Sequence, residues 1–128
     1  MYERIFCIFL LAFLVAGCGY IASSVPSPEI DGRRVTFRVR IESAETVQVA
    51  GDWNNWGMGD GRQGQVLVGL MRKSQRGDYW EKTVELPPGR YKYIFLVNET
   101  VPVLDGGNPR IVPDGKGGKA NLIILPGV

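Results

Sequence analysis

Apolar and polar residues alternate one for one across residues 33–41. Val35, Phe37, Val39 and Ile41 fall on one side, and Thr36, Arg38 and Arg40 on the other. A period of two is that of a strand with one buried and one wet face. The period returns at 46–50, which turns Val47 and Val49 inward. At 79–86 it sets Trp80, Val84 and Leu86 inward beside the Lys82 stem, with Tyr79, Glu81, Thr83 and Glu85 outward. Residues 90–97 give the strongest strand, with Tyr91, Tyr93, Phe95 and Val97 on one face and Lys92, Ile94 and Leu96 on the other. Shorter strands are expected at 101–104 and 122–125, and 66–72 is an apolar segment ending on a basic edge. Turn-forming stretches rich in Gly, Pro, Ser and Asp separate these runs: 51–64, 74–77, 87–89 and 105–118. No stretch after residue 18 sustains a helical period. The pattern predicts an all-β fold, a β-sandwich of about seven short strands.

The first residues read differently. Residues 5–15 are an apolar run of 11 behind Arg4, whose charge Glu3 weakens. That run falls short of the roughly 20 residues a spanning helix needs and has the length of a signal-peptide core. Val15-Ala16-Gly17-Cys18 resembles the lipobox of bacterial lipoproteins. The resemblance implies that 1–17 is a signal peptide, cut before Cys18, whose thiol and new amino group are acylated. Cys7 then leaves with the signal, so the mature chain keeps neither a free thiol nor a disulfide. Asp at the next position would resemble an inner-membrane retention signal in enteric bacteria. Gly19 stands there instead and points to the outer membrane of a bacterial envelope. Residues 18–31 are expected to be the lipidated Cys and a flexible Ser- and Pro-rich tether. At up to about 3.5 Å per residue the tether could reach on the order of 45 Å. The folded domain is placed at 32–128.

Composition narrows the function. The chain has 128 residues, enough for a single domain, and a net charge of +2, too small for a nucleic-acid footprint. It contains no His, which excludes a Ser–His–Asp triad, a Cys–His pair and a His-bearing zinc site. Asp52, Asp60, Asp78, Asp105 and Asp114 all lie in or beside turns, where Asp bonds its own backbone. Neither a two-carboxylate hydrolase nor a calcium loop is expected from them. No catalytic residue, metal or cofactor is assigned, and the chain is read as non-enzymatic. Arg33, Arg34, Arg38 and Arg40 form a basic stripe, read as a solvated sheet face resting near anionic lipid.

One segment carries a more specific resemblance. Val47-Gln48-Val49-Ala50-Gly51-Asp52-Trp53-Asn54-Asn55-Trp56 is similar to the "V-x-G-x-F-N-x-W" segment of glycogen-binding early-set domains, the family-48 carbohydrate-binding modules. Matching segments follow in order: 77–80, 86–97, 105–109, 113–115 and Asn121. The resemblance spans about residues 33–125 and implies an immunoglobulin-like early-set β-sandwich that binds α-1,4-glucans in a shallow site. It assigns the stacking platform to Trp56, with Asn54 and Asn55 shaping the loop, and gives Trp53 a core position. It also exposes departures. The family's sugar-contacting Lys, second Trp and Asn align with Ile94, Val101 and Ala120. Lys92, about 7 Å from Ile94 on the same strand face, and Asn121 are the candidate compensations. A rival reading follows from the same departures: Ile94, Leu96 and Val101 form an apolar face for a protein partner in the envelope.

Overall fold

The structure, a computed structural model, describes residues 25–58 and 67–127. The expected signal peptide, Cys18 and the tether up to residue 24 lie outside the described residues, as does 59–66 of the Gly-rich loop.

Among the described residues, nine strands form two antiparallel sheets. They are β1 (Glu29–Asp31), β2 (Arg34–Val39), β3 (Val47–Gly51), β4 (Arg72–Lys73), β5 (Trp80–Glu85), β6 (Gly89–Val97), β7 (Val101–Val103), β8 (Ile111–Pro113) and β9 (Lys119–Leu125). One sheet runs β1-β2-β5-β4 and the other β3-β6-β9-β8, with β7 on the far half of β6. The all-β sandwich therefore stands, with nine strands where the periodicity gave about seven. The additions β1 and β8 are three-residue strands at sheet edges, too short to display a period, and β8 ends on a Pro.

The core is built from the predicted inward positions. Val35 and Phe37 of β2, Val47 and Val49 of β3, Trp80 of β5, and Tyr93 and Phe95 of β6 are buried there with Met71, Leu86, Ile123 and Leu125. Phe37 meets Tyr93 edge-on at 4.7 Å between ring centroids and stacks on Trp53 at 5.6 Å. Trp53 thus closes the core, as expected of it. Gly51 permits this, because a Cβ there would overlap the Trp53 ring.

Residues 69–71 tie the two sheets together. Val49 N donates to Gly69 O at 2.9 Å and Met71 N to Val47 O at 2.8 Å, which covers the free edge of β3. The chain then crosses to the other sheet, where β4 pairs β5.

Two expectations need correction. The sequence carries a flexible tether to residue 31, but the chain is already docked at Ser27. The Ser27 hydroxyl, buried with its residue, donates to Asp105 Oδ2 at 2.6 Å and accepts from Arg38 N at 3.0 Å. β1 follows at once, paired with β2. Nor is Arg38 part of a freely solvated stripe. Its Nη1 donates to Glu29 Oε2 at 2.6 Å and its Nε to Glu81 Oε2 at 2.7 Å, and its side chain is 19% exposed. These bonds, Glu29 first, hold its pKa above the ordinary arginine value. The carboxylates on the strands flanking β2 make the difference: a stripe read along one strand cannot reveal what stands beside it.

Candidate functional site

The loop after β3 is organised by Asn54. Its Oδ1 accepts from Gly51 N at 3.0 Å and Gly57 N at 3.1 Å, and its Nδ2 donates to Val49 O at 2.9 Å. With both ends of its amide engaged, it caps a single 3-10 turn, Asn55–Gly57. Asn54 therefore shapes the loop, and its amide is committed to backbone. The backbone is left-handed at Asn55 (φ 51°) and at Trp56 (φ 55°, ψ 43°). Asn tolerates that region, whereas Trp adopts it only where its surroundings dictate the conformation.

Those surroundings include Gln48. Its Nε2 donates to Gly57 O at 3.1 Å and to Val68 O at 2.9 Å, clamping the turn onto the outer face of the β3–β6 sheet. This explains why every residue of β3 is buried, including Gln48 and Ala50 on the outward side. Gly69 completes the clamp. Its φ is +78°, and a Cβ there would overlap Val49 O and approach Asn54 Nδ2 to 2.8 Å.

Trp56 is half-buried and lines a pocket of about 190 Å³ with Ala50, Ile94, Leu96, Asp114 and Lys116. The floor comes from paired strands: Ala50 of β3 lies opposite Ile94 of β6, with Leu96 one step further on the same face. The Trp56 turn stands on one side and the β8–β9 turn on the other. Asp114 accepts from Lys116 N at 2.7 Å and Gly118 N at 2.9 Å, both at Oδ1. Those backbone bonds, with the charges of Lys116 and Lys92 behind them, hold its carboxyl below the usual aspartate value. Lys92 stands beyond Ile94. Its Nζ donates to Pro113 O at 3.0 Å and its backbone N to Asp52 Oδ2 at 2.8 Å.

The candidate residues thus divide. Trp56, Ile94 and Leu96 meet in one recess, Lys92 sits next to it, and Asn55 is exposed on the turn. Asn121 does not compensate for Ala120. It pairs with Tyr93, faces the core and is fully buried. Its Oδ1 accepts from Asp105 N at 2.7 Å and its Nδ2 donates to Asn108 O at 3.0 Å. Val101 is also misplaced in the apolar face. It lies opposite Val97, hence on the other side of the sheet, and Pro102 is the residue beside Leu96. Ile94 and Leu96 themselves form the floor of a walled recess rather than an open patch.

Sequence reasoning missed Gln48 and Lys116 and took Asp114 only as a turn former. Gln48 reads as any outward strand residue, because nothing local reports the loop folded over it. The signal for Asp114 was its neighbour Gly115, which marks a tight turn able to bring the carboxylate back over the sheet.

No known family profile matches the chain, and no curated protein does. Among solved structures, the chain is similar to part of the pullulanase from Bacillus acidopullulyticus, with a TM-score of 0.52 and 20% identity. The likeness covers 82% of this chain and 12% of the pullulanase chain. At that identity it bears on the fold: the same kind of β domain occurs within a much longer pullulanase.

Proposed function

We propose that this chain is a non-catalytic carbohydrate-binding module that holds α-1,4-glucan or maltodextrin weakly, and that lipid on Cys18 anchors it to a bacterial envelope membrane. The observation that carries the binding reading is the Trp56 indole at the side of the Ala50–Ile94–Leu96 recess. A sugar ring presents C–H groups that pack on an aromatic face, while its hydroxyls need polar partners at the rim. Asp114, an ionised acceptor, and Lys116, a donor, line the same pocket. Likeness in fold to a segment of a pullulanase agrees with a carbohydrate-related role. The binding is weak because, among the described residues, Trp56 is the one aromatic ring lining the pocket, and Ala120, where the resemblance places a sugar-holding Asn, is buried.

The test is titration of the full chain with maltoheptaose, read by tryptophan fluorescence. Trp53 packs against the core and Trp80 is part of it, so the response belongs to Trp56 and disappears in Trp56→Ala. An unchanged spectrum at millimolar oligosaccharide overturns the reading.

A further inference from the structure

We infer that the end of the sandwich carrying Arg40 and the 74–77 turn rests on the phospholipid surface, held there by the shortness of the link and not by charge. This rests on the Cys18 anchor proposed above. Docking at Ser27 shortens the link. Val25 is the first described residue and the seventh after Cys18. Its carbonyl lies against Gly107, where an added Cβ would stand 3.3 Å from it. Fully stretched at about 3.5 Å per residue, the link from Cys18 to Val25 reaches about 25 Å, against roughly 45 Å for a tether running to residue 31. A flexible chain of that length averages only about 15 Å from end to end.

The point where the link leaves the domain decides which end comes down. Ser27 lies beside Arg38, and Pro26 O accepts from Arg38 Nη1 at 3.3 Å. β1 runs antiparallel to β2, and the residues before it continue the same way, so Val25 falls by Val39 and Arg40, with Val103 and Leu104 opposite. Arg40 also borders the 74–78 segment, lining one cleft with Arg76 and Tyr79 and another with Ile41 and Asp78. This end is therefore the one beside the link. At about 3.4 Å per residue, β2 runs roughly 17 Å from Val39 to Arg34. Arg33 and Arg34 lie at the opposite end, where Arg33 O accepts from Leu86 N at 2.9 Å. Bringing that end to the lipid would stretch the link over most of its full reach.

Charge does not make the choice. Arg40 and Arg76 suit phosphate headgroups, but Glu42 and Asp78 line the same clefts and offset them. Of the four arginines expected to face lipid, Arg40 alone stands at this end, and Arg38 is taken up by Glu29 and Glu81. The Trp56 recess lies on the outer face of the β3–β6 sheet, a side of the sandwich and not either end. This orientation does not press it against lipid.

The experiment places the acylated chain in vesicles of phosphatidylethanolamine and phosphatidylglycerol that carry a nitroxide on some headgroups. Gln75→Cys puts a fluorophore on the turn, and Glu85→Cys puts one at the far end of β5, opposite Arg34. Both sites are exposed, and acylation blocks the Cys18 thiol. Quenching at residue 75 should exceed that at residue 85 by at least about threefold, and should do so equally in about 1 M salt, where exposed charges are screened. A spacer of about twelve Gly and Ser residues after Ser24 lengthens the link and should bring the two sites within about 1.5-fold of each other. Equal quenching at the two sites of the native chain, or stronger quenching at residue 85, overturns the inference. So does a difference that disappears in salt, or one that survives the spacer. A native chain that fails to float with the vesicles removes the anchor and this orientation with it, whereas equal quenching on a chain that does float overturns the orientation alone.

Discussion

The Tyr93 hydroxyl donates to Asp105 Oδ2 at 2.7 Å, between two residues that are almost fully buried. Ser27 Oγ donates to the same oxygen at 2.6 Å and Gly107 N to Oδ1 at 2.9 Å. Asn108 Nδ2 donates to the Tyr93 hydroxyl at 3.1 Å. A buried carboxylate is tolerated only with its oxygens satisfied, and this one is bonded from three separate segments of the chain. The cluster pins the N-terminal segment, β6 and the β7–β8 loop to one another.

Tyr93→Phe should therefore destabilise the fold without enlarging any cavity. It removes one donor from Asp105 Oδ2 and leaves Asn108 Nδ2 with Leu122 O alone. Loss of a buried partner costs about 1–3 kcal/mol. Urea unfolding should register this as a lower midpoint at unchanged slope.

The same pair makes the fold sensitive to alkali. Burial first, and then the Asp105 charge, push the Tyr93 phenol well above its ordinary value of 10.0. A group whose folded pKa is raised contributes stability that is fully present below its unfolded pKa and is lost as pH rises through the folded one. Stability should thus be level in this respect up to about pH 10 and fall above it. A spectrophotometric titration should find the Tyr93 tyrosinate appearing only with unfolding, and Tyr93→Phe should lose this part of the alkaline decline.

Arg38 makes a second attachment, between β1 and β5. Arg38→Leu keeps a hydrophobic stem but frees Glu29 and Glu81. Because the pair is partly exposed, the global loss should be no more than about 1 kcal/mol. The local effect should be larger. β1 is three exposed residues whose one strand partner among the described residues is β2, so limited proteolysis should cut N-terminal to residue 34 faster in the variant. Equal cutting of both proteins would show that Ser27 alone secures the segment.

The lipid anchor proposed at Cys18 has its own test. Cys18→Ser removes the thiol that acylation requires. The variant should lose acyl labelling and leave the membrane fraction, while the folded domain, which starts by Ser27, keeps its thermal transition. Unaltered labelling and fractionation would refute the anchor.

Strands were legible because burial writes a period of two into β2 and β6; β5 alternates in sequence, but its Lys82, expected inward, is exposed. What was not legible is set by contacts distant in sequence. Gln48 alternates correctly with Val47 and Val49, yet it is buried because the 55–57 and 67–69 segments fold over it. Asp105 sits in a stretch rich in Gly and Pro that reads as solvated, and its burial comes from distant partners, Ser27 and Tyr93, 78 and 12 residues away, with Asn121 on its backbone. Trp56 was found by its place in a polar Gly-rich loop and by resemblance. Its partners Asp114 and Lys116 were not, since a turn some 60 residues later supplies them. Val101 failed on register: a one-residue shift moves a side chain to the opposite face.

The geometry of the Trp56 turn should be most vulnerable at Gly69, which touches no ligand. Two of its neighbours' bonds depend on it indirectly, because Asn54 Nδ2 reaches the oxygen of Val49, which is paired with it, and Gln48 Nε2 the oxygen of Val68, which is next to it. In Gly69→Ala the new Cβ would overlap Val49 O, a backbone atom inside β3 that cannot swing aside, and φ +78° is unfavourable as well. Gly32 is the control. Its φ is +60° with nothing near the added Cβ, so Gly32→Ala should cost only the left-handed penalty of roughly 1–2 kcal/mol. Gly69→Ala should cost clearly more in urea unfolding and should weaken the maltoheptaose response. Asn54→Ala, which breaks the same clamp from the other side, should act in the same direction, with about 1–3 kcal/mol lost. Gly69→Ala and Gly32→Ala with equal stabilities would mean that the turn is not held against β3, and that the left-handed Trp56 owes its place to something else.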